Sequence, residues 1–353
     1  MKMKRWIAFA LCAVLAFSLT ACKFSAPAVV MTVNGVEIPA GVYLAYQRQA
    51  YYSAQSLRED AKTAVLKSSI EGMKASDWIH TETVDNIRQY IWVEQAFEAA
   101  GLSFTQEELD AAEQWLDTMW SYSGALMEEN GIGRQSYRLV YLNSEKYTKL
   151  LEAYRAGPDG QISENQAKAY MQETYSRIRR LILPATDADS AALTPEKQAE
   201  LDALANDLVE RLNEGAKLDE VAEETLKQAY ELCGREYSED SLSSDLGAFF
   251  ISEETTGFEE DFVPAVMAAA EGDAGVYQNN AAAEGVSQPV VYQKIANYED
   301  DADFTENYYE LLQNEMTGAA FSESMKAEFD AYDVQEDGFA VWSYRPDRIK
   351  ENA

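Results

Sequence analysis

The sequence is poor in histidine, in cysteine and in positive charge. Its 353 residues include one His, three Cys and 29 Lys+Arg against 61 Asp+Glu, for a formal net charge of -32. The shortage of cations excludes nucleic acid as a partner, because each phosphate contact calls for a cation and a surface of this sign repels polyanions. It also works against recruitment by anionic lipid. One His and three Cys leave little material for a Cys/His metal site, and a Ser-His-Asp triad would have to use His80. His80 follows Asp77-Trp78-Ile79 at a helix start, without a Gly-x-Ser-x-Gly motif to support hydrolysis. The acid clusters Glu253-Glu254, Glu259-Glu260-Asp261 and Glu299-Asp300-Asp301 lack the loop spacing of a Ca²⁺ site and read as solvated charge. No metal, cofactor or nucleotide is expected. Hydrophobic residues make up 47% of the chain, enough to bury a core, and the length suits two domains or one elaborated domain.

The N-terminus indicates where the chain works. Lys2, Lys4 and Arg5 precede an apolar run from Trp6 to Phe17, and Ser18-Leu19-Thr20-Ala21-Cys22 follows. A basic start and a short apolar stretch are what a secretion signal needs, and the run is short for a membrane span. Leu19-Thr20-Ala21-Cys22 resembles a bacterial lipobox. The resemblance implies cleavage after residue 21 and lipid on Cys22, hence a location at the cell membrane, lipid-anchored on the extracytoplasmic face. The leader carries three of the cations and none of the acids, so the rest is more acidic still. Cys12 leaves with the leader and Cys22 is modified, which makes Cys233 the free thiol and excludes an intrachain disulfide.

Along the rest of the chain, Asn34-Gly35 between alternating apolar residues predicts a β-hairpin over Val29–Ile38, because both turn residues accept positive φ. Residues 39–156 read as helices. Val84, Ile87 and Ile91 share one face, Thr105 and Glu108 form a capping box, and Leu139, Leu142 and Leu150 mark a further helix. Gly157-Pro158-Asp159-Gly160 is a breaker and a domain boundary. Beyond it come a helix from Ser163, a strand at Ile178–Leu183, a helix capped by Thr194-Pro195, a short helix from Leu218, a Ser- and acid-rich loop over 240–257, and a strand at Val290–Ile295. Residues 303–332 return to helix, and Phe339–Tyr344 reads as a short β-like tail.

In this order the residues resemble the secreted foldases of the PrsA/SurA kind, in which a parvulin-type prolyl isomerase domain interrupts a helical chaperone domain. Val33-Asn34-Gly35-Val36-Glu37-Ile38 is similar to the start of that group. Ile178-Arg179-Arg180-Leu181-Ile182-Leu183 is similar to the first parvulin strand, and Leu212-Asn213-Glu214-Gly215-Ala216-Lys217-Leu218 to a parvulin turn. Tyr237-Ser238-Glu239-Asp240, Asp245-Leu246-Gly247-Ala248-Phe249 and Phe262-Val263-Pro264-Ala265-Val266 resemble three further motifs. The resemblance implies an α+β fold. Residues 1–21 would be the lipoprotein signal, 22–160 an N-terminal helical chaperone domain opening with the hairpin, 161–300 a linking helix and an inserted parvulin-like (FKBP-like) α/β domain, and 301–353 a C-terminal helix and tail packing on the N-terminal domain.

The resemblance also assigns a site. Asp240 falls on the catalytic acid position, Phe262 on the pocket Phe, and Phe258 on the apolar residue four before it. Arg180 stands where the first-strand His is expected, and no His falls on the last strand, around Gln288–Tyr292. Prolyl isomerisation needs no nucleophile. Its barrier of roughly 18–20 kcal/mol falls when the amide twists in an apolar, poorly hydrogen-bonded site. A permanent cation cannot replace a neutral donor-acceptor, and a buried Arg demands a partner, so an Arg180–Asp240 pair is expected across the pocket floor. The alternative is that Phe258 and Phe262 are core residues and Asp240 a turn residue.

Three functions remain open. The first is a foldase binding unfolded or partly folded secreted polypeptides, with isomerase activity implied by the resemblance and opposed by the missing His pair. The second is a catalytically silent peptide-binding lipoprotein. The third is a solute-binding lipoprotein of a transporter, which would show two α/β lobes. Tyr43, Tyr46, Tyr51, Tyr52, Trp78, Trp92, Trp115 and Trp120 read as core or, where exposed, as a client surface.

Overall fold

The computed structural model describes residues 28–279 and 286–351; the leader and Cys22, with the lipidation expected there, lie outside the described residues. The chain divides into two compact units, one of the residues up to Gln161 together with those from Thr317 on, the other Ile162–Met316. The fold is α+β.

In the first unit, Asn34 and Gly35 take φ of 48° and 78°, the left-handed pair that lets a two-residue turn follow strand twist. They join β1 (Val29–Val33) to antiparallel β2 (Val36–Pro39). Next come α1 (Ala40–Ser56), a small hairpin of β3 (Ser69–Ile70) and β4 (Met73–Lys74), and α2 (Ala75–Ala99), which packs on α1. The hairpin interrupts a stretch expected to be helical. α3 (Gln106–Glu129) opens with the expected capping box: Thr105 Oγ1 accepts from the Glu108 N–H, and the Glu108 carboxylate accepts from the Thr105 N–H at 2.7 Å. α4 (Arg134–Ala156) follows.

The second unit contains α5 (Glu164–Thr174), β5 (Ser176–Ile182), α6 (Pro195–Asn213), α7 (Leu218–Cys233), α8 (Glu239–Asp245), β6 (Leu246–Ile251), α9 (Phe262–Ala268), β7 (Ala274–Asn279), β8 (Gln288–Ile295) and α10 (Asp301–Asn307). Its strands form one antiparallel sheet in the order β6-β5-β8-β7. Two-residue alternation assigns the faces. Leu181 and Val291 join Leu201, Leu208, Leu212 and Leu226 of α6 and α7 in one core. Ile178, Ile251 and Tyr292 join Phe262 and Val266 of α9 in the other. Residues 240–257, expected as a loop, hold α8 and β6 instead. The Leu246–Ile251 run pairs along β5 from Ser176↔Ile251 to Leu181↔Leu246, and that pairing satisfies backbone groups the local sequence leaves open.

α11 (Tyr309–Phe329) spans the boundary between the units. The sequence places the end of the insert at 300. The second unit continues to Met316 because Phe304 and Leu312 pack with Ala167 and Met171, and Tyr170 and Tyr175 both donate to Glu315, at 2.6 and 2.7 Å. The chain then returns to the first unit, where β9 (Val334–Glu336) pairs with the free edge of β1. His80 Nε2 of α2 stands 3.1 Å from the Glu336 carboxylate of β9. Residues 339–344, expected as a β-like tail, form most of α12 (Gly338–Ser343). Asp337 Oδ1 accepts from the Phe339 and Ala340 N–H groups at 2.9 and 3.1 Å and so starts a helix.

Candidate functional site

The outer sheet face of the second unit has an aromatic floor and a half-exposed rim. Ile178, Phe262, Val266 and Tyr292 are buried; Phe249, Phe258 and Tyr277 are half-buried against them. The rings lie close together: Phe258 to Phe262 at 4.5 Å between centroids, Phe262 to Tyr277 at 4.4 Å, and Phe262 to Tyr292 at 5.3 Å. Such stacked and edge-on pairs add to the burial of their area. They also leave no room for a ligand ring between Phe258 and Phe262, so contact is available at the rim. Tyr292 holds its place by lying across Gly275 of the neighbouring strand, where a Cβ would fall 2.7 Å from the Tyr292 hydroxyl.

Arg180 joins this face because it shares the β5 alternation with Ile178. Its guanidinium stands 4.8 Å from the centroid of Phe249, and it hydrogen-bonds the Tyr277 hydroxyl, which offsets part of the burial that pushes that phenol's pKa up. The structure therefore brings Arg180, Phe258 and Phe262 together. It does not bring Asp240 to them. Asp240 is exposed in the first turn of α8, and the expected Arg180–Asp240 pair does not form. Among the described residues no carboxylate is within ion-pair distance of Arg180. The aromatic faces and the Tyr277 hydroxyl take the place of a counter-ion.

Asp245 is the acid that closes onto the fold. Burial pushes its pKa up, offset by hydrogen bonds from Ser244 and Tyr230 and by the Arg235 charge. Its motif was quoted in the sequence, but the partner that places it, Tyr230, lies on α7 and has no local signal.

Three further residues missed in the sequence fix the frame around the site. Buried Asn297 accepts from the Arg177 N–H at 2.9 Å and donates to the carbonyls of Met171 and Tyr175 at 3.2 and 2.9 Å, joining the end of α5 to β5. Gln293 accepts from the Leu218 N–H and donates to Ala216 and Gly272, which holds the α6–α7 turn on β8. Lys294 Nζ donates to the carbonyls of Val266, Met267 and Ala269 and closes the C-terminal end of α9, while burial pushes its pKa down. A cleft of about 360 Å³ elsewhere on this unit includes Arg179, Lys217 and Asp219 in its wall. There Arg179 pairs with Asp219.

In the first unit most of the aromatics are core. Tyr43, Tyr46, Tyr51, Trp78 and Trp92 are buried. Trp115 is 41% exposed and stacks on Tyr141 at 4.2 Å, and Tyr122 is 82% exposed. Trp120 lies over Gly124 one turn along, where a Cβ would meet its indole. Cys233 is buried, its thiol 3.3 Å from the Pro184 carbonyl and its pKa pushed up by burial, the setting of an inert thiol. Among the described residues no group of three His, Cys, Asp or Glu side chains is arranged to hold a metal ion.

No family model and no curated protein matches the sequence. Solved structures similar to it include the foldase protein PrsA from Streptococcus pneumoniae, at 12% identity over 74% of this chain and 90% of that one, with a TM-score of 0.32. The foldase protein PrsA from Lactococcus lactis aligns at 11% identity over 91% and 99%, with a TM-score of 0.30. PrsA from Bacillus subtilis aligns at 12% identity over 77% and 92%, with a TM-score of 0.24. Likeness at these scores carries no conclusion about what the chain binds.

Proposed function

We propose that the protein is a membrane-anchored extracytoplasmic folding factor of the PrsA/SurA kind that holds extended, partly folded secreted polypeptides, with residues 178–295 as a parvulin-like binding module. The observation that carries this reading is the rim of Phe249, Phe258 and Tyr277 around Arg180. Half-exposed rings offer apolar contact at low entropy cost, and an arginine with no carboxylate in ion-pair range among the described residues offers donors to a peptide carbonyl. Binding dominates over catalysis in this reading. The rings fill the pocket floor, Asp240 makes no ion pair with Arg180, and prolyl isomerisation would draw only on the apolar rim, so it is slow. The leader and Cys22 supply the anchor, and among the described residues no helix is long and apolar enough to cross a membrane.

A solute-binding role gains no support, since the sheets among the described residues are one four-stranded antiparallel sheet, a small three-stranded one and a two-stranded hairpin, not two α/β lobes. The test is aggregation of a denatured secreted protein in the presence of the chain from Lys23 onward, run beside a proline-peptide isomerisation assay. Suppressed aggregation with little acceleration supports the reading. Unchanged aggregation contradicts it.

A further inference from the structure

Helix α12 is turned the wrong way for a water-facing helix. Ala340 is buried in the hairpin core and Ser343 is also buried, and the two largest side chains face out, Phe339 at 61% exposure and Trp342 at 55%. These two rings stack at 6.0 Å. Arg345 and Arg348 lie 5.2 and 5.7 Å from the Trp342 centroid. Asp347 pairs with Arg345 at 2.7 Å, while Arg348 donates to the Ser343 carbonyl and meets no carboxylate within ion-pair distance among the described residues. In a chain of 61 acids and 29 cations, this is an aromatic patch edged by arginine. Trp and Arg together suit the headgroup level of a bilayer, where one end of the ring is apolar and the other wet.

The position of the patch names its occupant. β9 runs antiparallel to β1 and ends beside its start, with Met31 opposite Glu336 and the Asp337 N–H donating to the Val30 carbonyl at 3.0 Å. α12 therefore begins at the N-terminal end of β1. Val29 lies seven residue steps beyond Cys22, and at roughly 3.5 Å per step a chain can span no more than about 25 Å there. A lipid on Cys22 holds this end of the first unit close to the membrane.

We infer that Phe339 and Trp342 dock on the outer surface of the bilayer that carries the Cys22 anchor, with Arg345 and Arg348 at its phosphates. The inference rests on the anchoring reading above and adds an orientation to it. The overall negative charge turns the remaining surface away from anionic lipid, so the tethered protein settles on this one face.

The test uses the membrane-extracted full chain carrying Phe339→Cys, spin-labelled at 339 and reconstituted in vesicles of phosphatidylethanolamine and phosphatidylglycerol. Cys233 is buried, and a label at exposed Ser121→Cys serves as the aqueous reference. Collision with oxygen is expected to exceed collision with a water-soluble nickel chelate at 339 and to show the opposite order at 121. A second measurement is quenching by brominated lipid, expected in the parent chain and lost in Trp342→Phe. Mass spectrometry of the N-terminal peptide reads the anchor separately. An acylated Cys22 with a water-exposed 339 overturns the docking alone; an unacylated Cys22 overturns the anchor and the docking with it. Equal protection of the 339 label in the lipid-free chain from Lys23 onward assigns the face to a second copy and overturns the docking.

Discussion

The guanidinium of Arg180 lies 4.8 Å from the centre of the Phe249 ring, across the β5–β6 pair, with no carboxylate in ion-pair range among the described residues. A cation held by ring faces and one phenol keeps donors free for a ligand. Arg180 therefore presents a planar set of donors that can grip a carbonyl.

Replacing Arg180 by Lys keeps the charge and loses the planar stacking. Peptide binding to the chain from Lys23 onward, read by fluorescence anisotropy of a labelled proline-bearing extended peptide, is expected to weaken several-fold. Phe258→Ala is expected to weaken it about ten-fold or more, the effect of losing about 1.4 kcal/mol or more of contact. Asp240→Ala is expected to leave it unchanged.

Gly275→Ala would place a methyl group against the Tyr292 ring, 2.7 Å from its hydroxyl. The ring has to swing away and disturb Phe262, at a cost of about 1–3 kcal/mol. A lower urea midpoint for the second unit checks this. An unchanged midpoint would show that the strand accepts a side chain there.

Asn297→Ala leaves the Arg177 N–H and the carbonyls of Met171 and Tyr175 without their partner. Stranding buried groups of this kind costs about 1–3 kcal/mol. The expected sign is faster amide exchange at Arg177, measurable by hydrogen exchange before global unfolding.

The parts of the fold that announce themselves locally were legible in the sequence. Asn34-Gly35 marks the hairpin, Thr105 with Glu108 and Ser163 with Gln166 mark two helix starts, and Thr194-Pro195 marks a third. Most of what escaped depends on distant partners. β6 is hidden in a Ser- and acid-rich stretch because only its pairing with β5 makes it a strand. β9 is three residues long and exists through β1. Phe339-Ala340-Val341-Trp342 reads as strand until Asp337 is seen as a cap. Of the candidate site, Phe258, Phe262 and Arg180 were found together. Phe249 was legible only as part of a motif, and Tyr277 and Tyr292 join through sheet register, which the sequence does not display.

Asp245 gives a pH dependence whose sign follows from its raised folded-state pKa. A carboxyl that holds its proton more tightly when folded contributes stability present below its unfolded pKa and lost as pH rises through the folded one. At neutral pH the ionised group opposes folding. Asp245→Asn is expected to raise the melting temperature of the second unit at pH 7, and the gain is expected to shrink as pH falls through the raised folded-state pKa and to vanish below the unfolded value of about 4. Equal gains at both pH values would remove burial as the cause.

The central claim is that the aromatic rim around Arg180 is where a client chain is held. Chemical-shift mapping of the isotope-labelled chain from Lys23 onward, titrated with an unstructured proline-bearing peptide, tests it most directly. The account predicts saturable shifts at Phe249, Phe258, Tyr277 and Arg180, reduced in Phe258→Ala. Binding without any shift at these four residues would contradict it.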